Sequence, residues 1–378
     1  MASESSALQE LSGRDWANLV AGPTVLIAER LLSNSIADYF RFRAVCRAWH
    51  TCSRSLRPRG ALDRRFHPRQ WIMLPNTFNV QFRRCFLNIH SGKRILLEIP
   101  DIHRCYILGT TSEGLLLVCR TDTYIVQLLN PLTGQIAGLP HAATLLGTKE
   151  SVDSKVRDLD LRSAGLVDDF SVVLHFEDFS LAIAKPDDNR WRHLTFQDKI
   201  ISALPFAGRI YCATAKNVSV VKTMAKQPPQ QLVVVANHNL NTMKSWLYLV
   251  DKDGELVLCQ YGSDNDGVLP LPDYDSDNDG DLDFSCYAFR KFMGYRVDLD
   301  TSIMVPLARL DGQALFVGTS CSLLVAAGVS PYIKAETVYL CGERPKIFTT
   351  GLLGGSVELC HFDRKDAAYC LSCFVCRP

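Results

Sequence analysis

The densest run of chemistry-bearing side chains is Asp273 to Asp283, DYDSDNDGDLD. Counted from Asp275, carboxylates fall at positions 1, 3, 5 and 9 (Asp275, Asp277, Asp279, Asp283), with Asp281 among them and Gly280 at position 6. Calcium takes about six to eight oxygens, and alternate residues of a loop bent at glycine point them inward. Position 12 is Cys286, so the usual bidentate glutamate is missing. The competing reading is an acidic solvated insertion, and the similar bias of Gly262-Ser-Asp-Asn-Asp-Gly267 favours it. Near the C-terminus, Cys360-His361 and Cys370-x-x-Cys373-x-x-Cys376 carry zinc-type ligands. An extended chain points Cys370 and Cys373 to opposite faces, and Tyr369, Leu371, Phe374 and Val375 read better as a final strand. The sequence contains no Walker loop, HExxH, GxSxG elbow or dinucleotide fingerprint. Nine histidines are dispersed, and His103 and His175 read as packed or surface residues rather than bases. No catalytic site and no cofactor are expected.

Those side chains sit in a chain of 378 residues, 47% hydrophobic and 21% charged, which is a globular composition. The length suggests two to three domains, or one large all-β ring with an appendage. A net charge of +1 argues against a nucleic-acid or membrane partner for the whole molecule, although arginines crowd residues 41–69. That crowding would steer an acidic partner or simply solvate helix faces and a basic linker. Neither a secretory signal nor an apolar run of about 18 residues is visible, so cytoplasm or nucleus is the expected location. The 14 cysteines lie in apolar, strand-like segments, as in Val118-Cys119 and Tyr211-Cys212, and suit small buried hydrophobes in a reducing compartment.

From Trp71 onward, runs of about four to eight residues rich in Val, Ile, Leu, Tyr and Phe alternate with Gly, Pro, Asn and Asp clusters. Gly114 to Cys119 and Tyr124 to Leu129 read as strands, and Asn130-Pro-Leu-Thr-Gly134 as the turn after them. Further on, Phe176 to Ile183 reads as one strand, and Pro205 to Tyr211 as the start of another β run. Ser245 to Val250 and Glu255 to Cys259 flank an Asp251-Lys-Asp-Gly254 turn. Well over a dozen short strands must protect their edges, and radial repetition does so. A hairpin period of about 40 to 50 residues predicts a propeller of about six blades, or seven, with a pair of β-sandwiches as the alternative.

The N-terminal stretch Trp16 to Leu56 has a different period. Pro23 suits the first turn of a helix, on which Ile27/Leu31 and Ala28/Leu32 repeat at i, i+4. Ser35 and Asp38 read as a capping box opening a second helix that carries Phe42, Val45, Cys46 and Trp49. Helices this short are marginal alone, so they complete their core against the rest of the chain or against another protein.

The run Val45-Cys46-Arg47-Ala48-Trp49, after a Leu19-led opening and a Leu-rich first helix, resembles an F-box. Leu19-Val20 stands where that family has Leu-Pro. An ordinary helical hairpin with an internal apolar stripe is the alternative. The later motifs Gly114 to Val118, Asn130 to Gly134, Pro205 to Tyr211, Val297 to Asp300 and Leu310 to Gly318 are similar to the C-terminal kelch-like domain of a large, cereal-expanded family of plant F-box proteins. The resemblance implies an F-box at 12–57, a linker at 58–70 and a propeller-like domain at 71–378. It also implies a non-enzymatic substrate receptor of a cullin-RING ubiquitin ligase. The Skp adaptor would bind through Leu19, Pro23, Ile27, Leu31, Leu32, Phe42, Val45, Cys46 and Trp49, and the ring would present an unknown target protein. The rival reading is a calcium- or ligand-binding propeller whose helical start only caps the ring.

Overall fold

The computed structural model describes residues 19–53, 63–74, 83–147, 151–168, 171–222, 231–240, 242, 245–263, 290–318, 321–341, 347–351 and 358–360. Three helices come first: α1 (Ala21–Asn34), α2 (Ile36–Arg43) and α3 (Arg47–Cys52). Pro23 lies in the first turn of α1, where its missing N–H costs no intrahelical bond. The Ser35 hydroxyl accepts from the Asp38 N–H at 3.3 Å and starts α2, as the Ser-x-x-Asp spacing predicted. Cys46 caps α3 in the same way, its Sγ accepting from the Trp49 N–H at 3.5 Å. Phe42 stacks on Trp49 with ring centroids 4.4 Å apart and ties α2 to α3.

The remaining described elements form six sheets. The first is the three-stranded β1–β2–β3 (Trp71–Met73, Arg83–Asn88, Arg94–Glu98). The next four are four-stranded meanders. They are β4–β7 (Cys105–Thr110, Leu116–Arg120, Ile125–Leu129, Ile136–His141) and β8–β11 (Leu161–Leu166, Val172–Phe176, Leu181–Ala184, Arg192–Leu194). They continue with β12–β15 (Ser202–Phe206, Arg209–Ala213, Asn217–Lys222, Gln231–Asn237) and β16–β19 (Ser245–Lys252, Glu255–Ser263, Arg290–Asp298, Ile303–Pro306). The sixth contains β20–β24 (Gln313–Val317, Ser322–Ala326, Thr337–Cys341, Ile347–Gly351, Glu358–Cys360) in the order β21-β20-β22-β23-β24. Its β20–β22 pair is parallel, whereas every other described pair is antiparallel.

Each sheet buries its faces against the next, so the core is divided into six inter-blade layers. The layer between the first and second blades holds Phe86, Leu116 and Val118, and the helices insert Ala28, Ile36, Tyr39 and Phe42 into it. Four more layers join successive blades, with Leu117 and Leu174, Val173 and Cys212, Leu249 and Val218, and Val257 and Leu315 among their members. Ile72, Leu87, Phe316 and Tyr339 close the ring between the sixth blade and the first. This is a six-bladed propeller. The expected buried role of the strand cysteines holds for Cys119, Cys212 and Cys259, whose thiols burial pushes well above their ordinary value.

Several expectations need correction. Phe176 to Ile183 is not one strand: β9 ends at Phe176, residues 177–180 turn, and β10 starts at Leu181. Phe179 takes a left-handed φ of 67° in that turn, and the Phe-rich composition hid the break. The β16–β17 hairpin is tighter than Asp251 to Gly254, because strand pairing runs through Lys252 and Glu255. Two short helices went unforeseen: α4 (Ala142–Leu145) and α5 (Val152–Arg157). Within the span read as a linker, residues 64–66 form a 3-10 turn with Asp63 as cap, and Phe66 is fully buried.

Candidate functional site

Two surfaces have the geometry of a binding site. The first is the helical module. Its inner side packs on the ring: Phe42 is buried, and Leu31, Leu32 and Trp49 are half-buried against the same layer as Phe86 and Leu116. Its outer side carries apolar side chains that no described residue covers. Val20 is 74% exposed, Leu26 68%, Ile27 39% and Val45 61%, and Pro23 is exposed as well. Leu19 and Cys46 are intermediate.

Seven of the nine residues expected to meet an adaptor therefore fall into two groups. Pro23, Ile27 and Val45 face solvent, whereas Leu31, Leu32, Phe42 and Trp49 hold the module to the propeller. Leu26, which the i, i+4 pattern did not single out, joins the first group. Between α1 and residues 64–71 lies a cleft of about 420 Å³, lined by Glu29, Leu32, Arg64, Arg65 and Arg69. Asp63 engages Arg65 through paired bonds, so part of the arginine crowding is internally neutralised.

The second surface is the central channel, about 470 Å³, walled by one strand from each blade: β1, β4, β8, β12, β16 and β21. Bonds around the wall lock these strands in step. The Ser112 N–H donates to the Ala164 carbonyl at 3.2 Å, Ser163 Oγ to the Ala203 carbonyl at 2.9 Å, and the Leu249 N–H to Ser202 Oγ at 3.0 Å. Lys252 of the fifth blade meets Asp311 of the sixth at 2.5 Å, and the Ala326 N–H reaches the Ile89 carbonyl at 3.1 Å across the closure. The approach is tight: a Cβ on Gly165 would stand 2.8 Å from both Pro205 Cγ and Ser112 Oγ.

The lining mixes aliphatic and polar side chains, with Arg69, Arg162, Asp251 and Asp253 as its charged groups. Asp251 and Asp253 line it, and burial pushes the Asp251 carboxyl above its ordinary value while Arg69 pulls the other way. His175 is 1% exposed, and its Nε2–H donates to the Ile200 carbonyl at 3.2 Å. Burial depresses it to about 4, and Arg162 nearby acts in the same direction. His175 is thus neutral at physiological pH.

The sequence-predicted metal residues Asp275, Asp277, Asp279, Asp281 and Asp283 lie outside the described residues, as does the Cys370 to Cys376 ladder. Among the described residues, no group of three or more His, Cys, Asp or Glu is placed to hold a metal ion.

A ring of six blades around a channel, with an appended helical module, defines a propeller of the interaction class. The chain belongs to the KIB1-4 beta-propeller family, whose model matches residues 86–363. No curated protein matches the sequence significantly. Among solved structures, PorZ of Porphyromonas gingivalis is similar at 10% identity and a TM-score of 0.35, over 79% of this chain and 39% of that one. Hsv2 of Kluyveromyces lactis follows at 12% and 0.33, over 72% and 65%. The Nup133 β-propeller domain of Vanderwaltozyma polyspora stands at 9% and 0.35, over 78% and 84%. The chain thus spans well under half of PorZ and just under two thirds of Hsv2.

Proposed function

We propose that this protein is a non-enzymatic substrate receptor: its helical module docks on the Skp adaptor of a cullin-RING ubiquitin ligase, and its propeller presents a target protein. One observation carries the reading. The module is fixed to the ring by one face and still offers Val20, Leu26, Ile27 and Val45 on the other. Apolar side chains left in water on a rigid helical support suit a helix-in-groove contact, in which a few anchors supply most of the energy. The family membership and the F-box-like run from Val45 to Trp49 favour the same reading. The work of such a receptor is proximity: it raises the effective concentration of the target near a ubiquitin carrier bound elsewhere in the ligase.

Capture of the full chain by a purified Skp adaptor tests this. Ile27→Asp and Val45→Asp should each weaken capture by at least about tenfold while leaving the melting temperature near that of the wild type, since both side chains already face water. Leu31 and Trp49 are unsuitable probes because they pack into the ring. Capture that withstands both aspartates, or that the wild type never shows, would refute adaptor docking.

A further inference from the structure

Inside the channel, the surroundings of Arg162 are unusual. Across the β8–β9 ladder, Leu161 pairs with Phe176 and Ser163 with His175, so Arg162 is the extra residue of a β-bulge on a channel-wall strand. A bulge turns the extra side chain out of the regular alternation, and here the residue lines the channel. The guanidinium carbon stands 4.4 Å from the centre of the Phe179 ring, and Lys199 Nζ lies 3.7 Å from the same centre. Two cations share one ring, and among the described residues neither has a carboxylate within ion-pair distance. The nearest acid facing His175, Asp178, spends one oxygen on the Ser180 N–H and hydroxyl, at 2.9 and 2.6 Å. Arg162 Nε is buried with no hydrogen-bond partner, and so is Gln313 Oε1 on the wall contributed by the sixth blade.

A buried donor on a permanent cation is costly to leave unmet, and a guanidinium edge is shaped for a planar two-oxygen acceptor. The channel volume of about 470 Å³ falls in the range of small-ligand pockets. We infer that the channel is a binding site for an organic carboxylate, with the carboxyl group on Arg162 and the apolar remainder between the aliphatic walls. Arg162, half-buried with its Nε fully shielded, stands beside a neutral His175 and offers one cation to a monoanion. Arg69 and Arg162 are matched in number by Asp251 and Asp253 in the channel lining, so no surplus cation meets the second charge of a phosphate dianion, and carboxylate chemistry is favoured. Small organic acids and the C-terminus of a peptide both supply that group. The inference is independent of adaptor docking, because Arg162 is on the channel wall and none of the module's outward residues lines the channel.

The test is calorimetric titration of the full chain with phenylacetate, with an acetylated trialanine bearing a free C-terminus, with the same peptide amidated, and with inorganic phosphate. A free carboxylate should bind saturably, and Arg162→Gln should weaken it by at least about tenfold. Arg162→Lys keeps a cation on Phe179 without the planar edge and should weaken it in the same direction. The Arg162 Nε–H resonance of the 15N-labelled wild type should shift on titration, a readout that needs no variant to fold. Binding of phenylacetate alone identifies small acids as the source, and binding of the free peptide alone identifies a chain terminus. No binding by either free carboxylate at about millimolar concentration, equal binding of the amidated peptide, tighter binding of phosphate, or affinity unchanged in both variants would each overturn the assignment.

Discussion

His175 sets a pH limit on stability that nothing in its sequence neighbourhood announces. The imidazole is buried without a carboxylate bonded to it, Arg162 repels its charged form, and Asp178 offsets this only in part, so it holds no proton until about pH 4. The unfolded chain takes up that proton near 6.5. Between those values the unfolded state binds more protons, and stability falls as pH drops through the window and levels off below about 4. The loss should be about 3 kcal/mol. Urea midpoints measured from pH 7 to pH 4 check this, with His175→Gln expected to flatten that slope and an unaltered slope counting against it. The sequence did allow His175 to be read as packed. It could not reveal Arg162, because the bulge at that residue breaks the period-2 pattern by which strands are recognised.

At the level of elements, the helices were legible and the destination of their apolar faces was not. The i, i+4 repeats and the Ser35 and Asp38 spacing predicted α1 and α2, and the capping bond is made. Periodicity reports that a face is apolar, not what covers it. Phe42 and Trp49 turned inward to the layer between the first two blades, while Ile27 and Val45 stayed outside. Asn130 adds a tie that a turn motif does not predict: its Nδ2 donates to the Phe66 carbonyl at 2.7 Å, and its Oδ1 accepts from Leu132 and Thr133. Gly114 lies on the same seam, with φ of +81° and room for no Cβ, which would stand 2.5 Å from the Pro68 carbonyl oxygen. Since helices and ring share one core, Phe42→Ala should cost about 3–5 kcal/mol and leave a single unfolding transition. A separate early transition by helical circular dichroism would show the module to be an independent unit instead.

For the whole molecule, ring closure rests on a non-covalent seam. Phe316 stacks on Tyr339 at 4.6 Å and 10° and packs with Ile72 and Leu87 of the first blade. Phe316→Ala should cost about 3–5 kcal/mol in urea unfolding, with cleavage by a dilute protease accelerating as the seam opens. A variant as stable as the wild type would mean that closure depends on other contacts. The short strand runs, the turn clusters and their spacing were enough to determine a mainly β ring of about six blades behind a small helical start, because burial period and turn chemistry are local properties written in consecutive residues. Only the tertiary structure decided the β21-β20-β22 order, the packing of the helices into the first layer, the meeting of Arg162 and His175 at one channel, and the contact of Arg162 with Phe179. Those arrangements depend on contacts between residues distant in sequence, whose energies no local pattern encodes.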